Sequence, residues 1–455
     1  MAWGFRTAVL ATVIVGCVTV AHPAPSSASA SASASASASA SASASASASG
    51  TVAPRAEQRA DGPARLRLPT PTGPHPVGTV DLHLVDRSRT DPWTATPAPR
   101  ELMVSVWYPA TGVDRFPPAP HMLPGAAAHF GGAAGVGAGL YGIPAGAVDF
   151  AATRTSGHRG APLARSGRPY PVVLYSAGAG DPRTWGTTLV QDLASRGYVV
   201  VTIDHTYEVS EVEFPDGRVV STVLPQLFEQ AQQPEDFQRL GARVFDTRLA
   251  DTRFVLDQLA ALDRGVNPDA AGRPLPRGMA GALDLSRTGM FGVSAGGMTA
   301  LQAMSDDPRI RAAIDMGGSI ESPIMPDALA LWPVTRTGLD RPFMLMGDVD
   351  TDHHQTPSWR MLWDNSTGWR VDLRLDGAKG ENAYKDAVPL IPQIARQLDL
   401  PDSFVTDALG TIAPARAVRS QETLVTAFFD RWLRGRAGHV LDGPSPRLRD
   451  VVFVP

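Results

Sequence analysis

Between Thr288 and Met304 an apolar run passes straight into a glycine-rich turn and then into a helix-compatible segment. Few folds accommodate that succession. The turn reads Gly292-Val293-Ser294-Ala295-Gly296. In a G-x-S-x-G elbow the serine is held in a strained backbone conformation, and the two flanking glycines let strand and helix approach closely. Its hydroxyl then stands at a helix N-terminus, where backbone N–H groups stabilise an oxyanion. With 43 glycines in the chain, the five-residue pattern alone carries little, and the strand–turn–helix context is what makes Ser294 the candidate nucleophile. A second glycine pattern, Gly137, Gly139 and Gly142, follows no strand and is not read as a dinucleotide site.

The surroundings of the elbow have the same grammar. From Tyr170 onward, continuous apolar runs alternate with helical stretches. Strands are expected over Val172–Tyr175, Tyr198–Ile203, Thr288–Phe291, Ile310–Ile314, Phe343–Met346 and Val371–Leu375. Helices are expected over Thr187–Ser195, Leu249–Leu262 and Thr423–Leu433. Uninterrupted apolar strands separated by helices call for a mostly parallel, doubly wound α/β sheet covered on both faces. Upstream, Val80–Val85 and Leu102–Tyr108 alternate as half-buried strands do and read as an antiparallel pair. The Ala/Gly/Pro-rich insertion 117–150 suits a wall over an apolar pocket or a loosely packed excursion.

The domain is preceded by two segments of another kind. Met1–Arg6 carries one positive charge, Thr7–Ala21 is apolar, and Ala21 offers a small-residue cleavage point, the pattern of an export signal over residues 1–21. Residues 22–64 are expected to be a spacer, because the near-pure Ser-Ala alternation of 26–49 contains nothing that packs a core. The globular domain is expected to run over 65–455. Cys17 is the single cysteine, which excludes an intrachain disulfide. Its setting, Ile14-Val15-Gly16-Cys17, resembles a lipoprotein box, so a lipid anchor on the outer face of the cell membrane is the alternative to release. A net charge of −4, with lysine only at 379 and 385, gives no electrostatic footing for a nucleic-acid partner.

Leu283–Gly297 together with Arg100–Tyr108 resembles the platelet-activating-factor acetylhydrolase family, and the resemblance covers most of residues 75–435. It implies an α/β-hydrolase fold and an esterase without metal or other cofactor, acting on small-molecule or lipid esters with short acyl groups. Pro171–Thr184 is similar to that family's oxyanion loop, where His-Gly-Leu-Gly is usual; here the loop reads Ala177-Gly178-Ala179-Gly180. By that match the oxyanion donors are the backbone N–H groups of Ala179 and Ala295. A secondary resemblance, to cutinase-like polyester hydrolases, covers mainly residues 285–300 and 342–380.

Two acids then compete for the triad. Asp315 lies where the acetylhydrolase family carries its aspartate, and Asp350, in Gly347-Asp348-Val349-Asp350-Thr351, matches the acid loop of cutinase-like hydrolases. Asp315 is favoured. The base is missing: both families place a histidine after the strand corresponding to Val371–Leu375, and Gly380 stands at that position. His354, then His353, are the first substitutes, with Lys379 or Glu381 as unusual bases; His205 reads as a structural hydrogen-bonding residue. A fold that binds without efficient hydrolysis is the alternative that Gly380 raises.

Overall fold

The computed structural model describes residues 62–321 and 328–455. The export segment, Cys17 and the spacer up to residue 61 lie outside the described residues. The fold is joined at Ala64, which is buried and bridges to Val148.

Eleven strands make one mixed sheet. The opening pair is β1 (Val77–Thr90) and β2 (Pro99–Pro109), antiparallel from Val77↔Pro109 to Asp86↔Arg100. Two short strands, β3 (Pro118–Pro120) and β4 (Arg154–Arg159), extend it beyond β1. The centre is β5 (Tyr170–Ser176), β6 (Val199–Asp204), β9 (Leu283–Val293), β10 (Ile310–Met316), β11 (Phe343–Gly347) and β12 (Arg370–Leu375). Their spatial order is β12-β11-β10-β9-β5-β6, and every neighbouring pair is parallel. A last strand, β13 (Val451–Val454), closes the far edge antiparallel to β12. A separate hairpin joins β7 (Glu211–Glu213) and β8 (Val219–Ser221).

All residues of β5 and β6 are buried, as strands covered on both faces must be. Alternate side chains feed two cores. Val173, Tyr175 and Phe291 point towards the helices Thr187–Ser195, Ala387–Leu398 and Pro414–Arg434. Val172, Leu174 and Met290 point towards Pro234–Asp263, Ala295–Asp306 and Pro357–Asn365. This is an α/β-hydrolase fold. The insertion 117–150 is a packed wall: Phe130 and Tyr141 lie on Trp185, with Phe130 and Trp185 ring centres 4.9 Å apart, and Phe150 packs edge-on against Phe130.

Two helices exceed their expected length. Leu249–Leu262 is the C-terminal half of Pro234–Asp263, which starts at a capping box between Gln233 and Asp236. Thr423–Leu433 is the end of Pro414–Arg434. In the first case the buried face carries Arg248 and Asp251, so a search for apolar spacing reads it as solvent-facing.

Candidate active site

The elbow forms where β9 hands over to the helix Ala295–Asp306. Ser294 adopts φ 55 and ψ −126, a region that side-chain-bearing residues rarely occupy. Its N–H donates to Met316 O at 3.0 Å, tying the turn to the end of β10. The flanking glycines are required by contact. A Cβ on Gly296 would overlap Ser176 O and stand 2.7 Å from Ala177 O. One on Gly292 would overlap the Gly296 backbone.

The expected oxyanion loop lies against the serine. The point where a Cβ on Gly178 would sit is 3.6 Å from Ser294 Cβ and 2.9 Å from Asp181 Oδ2. Ala295, as the first helical residue, has no intrahelical acceptor for its N–H. The Ala179 N–H has no acceptor among the described residues.

Asp315 lies under the elbow, where a Cβ on Gly297 would overlap its Oδ1. Oδ1 accepts the Gly318 N–H at 2.8 Å, while Oδ2 has no hydrogen-bond partner among the described residues. Burial pushes this carboxyl well above the usual range, against the opposing pull of the Gly318 N–H and the Trp359 indole. Asp315 therefore holds its proton more tightly in the fold than in the unfolded chain. The folded state binds the extra proton, so stability declines as pH rises above about 4, the unfolded carboxyl value. Asp315→Asn, isosteric with the neutral acid, is expected to remove that decline. Its Tm should match wild type near pH 4 and exceed it near pH 8; a variant that loses Tm relative to wild type as pH rises contradicts this reading.

The structure does not bring the expected base to Ser294. His354 turns its ring to the outer edge of the sheet, with Nε2 3.0 Å from the carbonyl of Pro455 beyond β13. His353 is buried with Nδ1 2.7 Å from Asp372 Oδ2 in β12, and stacks on Trp363 at 4.1 Å. Asp372 is level with Leu345 on β11, below the strand ends where Ser294 stands. Asp350 is exposed, and the carboxylate of its loop that faces the empty position is Asp348, whose Oδ2 accepts the Gly380 N–H. Asp348 directly follows β11, and the loop's sequence does not distinguish it from Asp350.

Lys379 is largely exposed, with Asp407 3.8 Å away. Glu381 belongs instead to a buried cluster against the loop: Lys385 Nζ is 2.6 Å from both Glu381 Oε1 and Asp181 Oδ2. Burial alone would lower the ammonium's pKa, but the two carboxylates outweigh it and push it up. Lys385 thus stays a cation. Tyr141 Oη donates to Asp181 Oδ1 at 2.8 Å, fastening the insertion to the same cluster.

A buried serine–histidine–aspartate chain lies behind the loop, and in it His205 is the structural hydrogen-bonding residue that the sequence suggests. Ser176 Oγ is 3.0 Å from His205 Nε2, and His205 Nδ1 is 3.0 Å from Asp251 Oδ2. All three are fully buried, so no substrate reaches them. Burial and the nearby Arg248 bring the imidazole down to about 4, so it is neutral, donating to Asp251 and accepting from Ser176.

Comparisons with known proteins agree with this architecture. The family model for platelet-activating factor acetylhydrolase, isoform II, matches residues 62–319. A probable 1-alkyl-2-acetylglycerophosphocholine esterase from Arthroderma benhamiae is 27% identical over 86% of this chain and 95% of its own length. A platelet-activating factor acetylhydrolase from Canis lupus familiaris is 26% identical over 36% of this chain and 38% of its own. Among solved structures, a ferulic acid esterase from Streptomyces cinnamoneus superposes with a TM-score of 0.66 at 34% identity, covering 86% of this chain and 99% of that one. With more than half of its length matched by the family model and relatives that are esterases, this chain belongs to the platelet-activating factor acetylhydrolase isoform II family of ester hydrolases.

Proposed function

We propose that the protein is an exported carboxylic ester hydrolase with Ser294 as nucleophile, acting on short-acyl lipid or phospholipid esters. The observation that carries this reading is the strained Ser294, presented between the Gly178–Ala179 turn and the helix N-terminus. Ser294 Oγ attacks the ester carbonyl, and the N–H groups of Ala179 and Ala295 hold the oxyanion. Solvent carries the serine proton to the departing alkoxide, which leaves as the alcohol, and water then releases the acid from the acyl-serine. The substrate class follows the acetylglycerophosphocholine named for the fungal relative. Export rests on the charged and apolar run Met1–Ala21. Among the described residues no helix is long and apolar enough to cross a membrane.

Position 380 sets the pace. Among the described residues no imidazole is hydrogen-bonded to Ser294, so the oxyanion hole and binding carry catalysis, which leaves about 10³–10⁴-fold acceleration over water. A second reading, a binding protein on a hydrolase scaffold, draws on the same vacancy and on the burial that disfavours the charged form of Asp315. Hydrolysis of p-nitrophenyl acetate separates the two. Slow turnover above the Ser294→Ala baseline, falling as the acyl chain lengthens, is the expected result. A wild-type rate equal to that baseline supports the binding reading instead.

A further inference from the structure

We infer that Arg248 aims the oxyanion hole, acting as a positioning residue for the Ala179 N–H. This rests on the proposed hydrolysis at Ser294. Arg248 lies on the helix Pro234–Asp263, fully buried beneath the loop. Its Nη1 donates to Ala177 O at 2.7 Å and its Nη2 to Gly178 O at 3.4 Å. The loop's peptides are trans, so each carbonyl and the N–H that follows it point in opposite directions. Holding Gly178 O on the guanidinium therefore turns the Ala179 N–H away from the helix. That N–H has no acceptor among the described residues.

The guanidinium is itself fixed. Its Nε donates to Glu208 Oε2 at 2.8 Å, and the backbone carbonyl of Glu208 accepts the Gly180 N–H at 2.9 Å. Trp93 Nε1 donates to Glu208 Oε1 at 3.2 Å. Arg248 and Glu208 thus grip the loop at both ends. One turn further along the same helix, Asp251 anchors His205 and Ser176, the residue immediately before the loop, and is paired in turn with Arg100 at 2.8 Å. A planar five-donor fork can bridge two carbonyls and a carboxylate at once, whereas an ammonium cannot hold that geometry.

The test uses three variants of the full chain, each assayed as wild type at position 380 and with Gly380→His. Arg248→Lys keeps the charge and loses the fork. Arg248→Met removes both. Arg248→Met/Glu208→Gln also avoids stranding a buried carboxylate should the single variant fail to fold. Each is expected to lower kcat by about 100-fold, the loss of one oxyanion donor, with KM changed less than about threefold. Free guanidinium is expected to restore part of the rate in a fourth variant, Arg248→Ala. Lower Tm with kcat unchanged below the melting range overturns the inference. Crystal structures of the same variants decide independently of turnover. A rotated or disordered Gly178–Ala179 peptide supports the inference, and an unchanged peptide overturns it. An inactive wild type with a rotated variant peptide sinks the hydrolase reading while leaving the role of Arg248 standing.

Discussion

Replacing Gly380 with histidine is expected to raise kcat on an activated short-chain ester by about 100-fold, the low end of what a positioned general base supplies. Apart from the two chain neighbours, no atom of the described residues lies within 4 Å of a Cβ built at this position, so a side chain can start there without a clash. The backbone is already tethered, through the Gly380 N–H to Asp348 Oδ2 and through Tyr384 Oη to Gly347 O. The obstacle is φ 62 with ψ −175, a region almost confined to glycine and costing other residues about 1–3 kcal/mol. That cost falls on stability, while the expected gain falls on the barrier. The acid can then be identified by a second substitution. If Asp315 serves the new imidazole, Gly380→His/Asp315→Asn loses most of the gain; if Asp348 does, Gly380→His/Asp348→Asn loses it. A change below about threefold in Gly380→His contradicts the view that the vacancy limits the rate.

Gly296→Ala is expected to abolish turnover and to destabilise the fold by about 3 kcal/mol, the upper part of the range for overpacking. The new methyl would overlap Ser176 O, and both neighbouring carbonyls are backbone that cannot retreat. Ser176 is held in register with Ile203 on one side and Gly292 on the other, and Ala177 O is bound by Arg248. The helix must therefore move, carrying Ser294 and Ala295 with it. Urea unfolding and p-nitrophenyl acetate hydrolysis measure the two effects. A variant of wild-type stability and rate would show that strand and helix are not in the close contact described.

How much of this was legible in the chain depends on what kind of side chain carried the signal. Every strand expected from apolar runs is present, and the pattern is clearest in β5 and β6, where burial of every residue leaves few polar positions to confuse it. Residues Pro234–Arg248 were not assigned to a helix, and the reason lies in their inward face. Arg248 and Asp251 are buried through partners far apart in sequence (Glu208, Arg100 and His205), and single-chain periodicity does not register such pairing. β13 was missed for a related reason: a four-residue strand is defined by its partner β12 more than by its own composition. At the site, Ser294 could be read because its constraint is local, in the glycines that flank it. The surroundings of the base could not. The ring of His354 is drawn to Pro455 by a contact across 101 residues, and the cluster of Asp181, Glu381 and Lys385 is assembled from two loops that meet only in the fold.

The central claim is that Ser294 is a nucleophile in a hydrolase site despite Gly380. Mass-spectrometric mapping of the wild-type protein after incubation with a fluorophosphonate probe tests it most directly, because the probe reports covalent attack whether or not turnover is fast. Slow, stoichiometric labelling confined to the peptide containing Ser294, absent in Ser294→Ala and faster in Gly380→His, is the predicted result. Labelling of wild type at another residue, or none after prolonged incubation while Gly380→His labels readily, would contradict it.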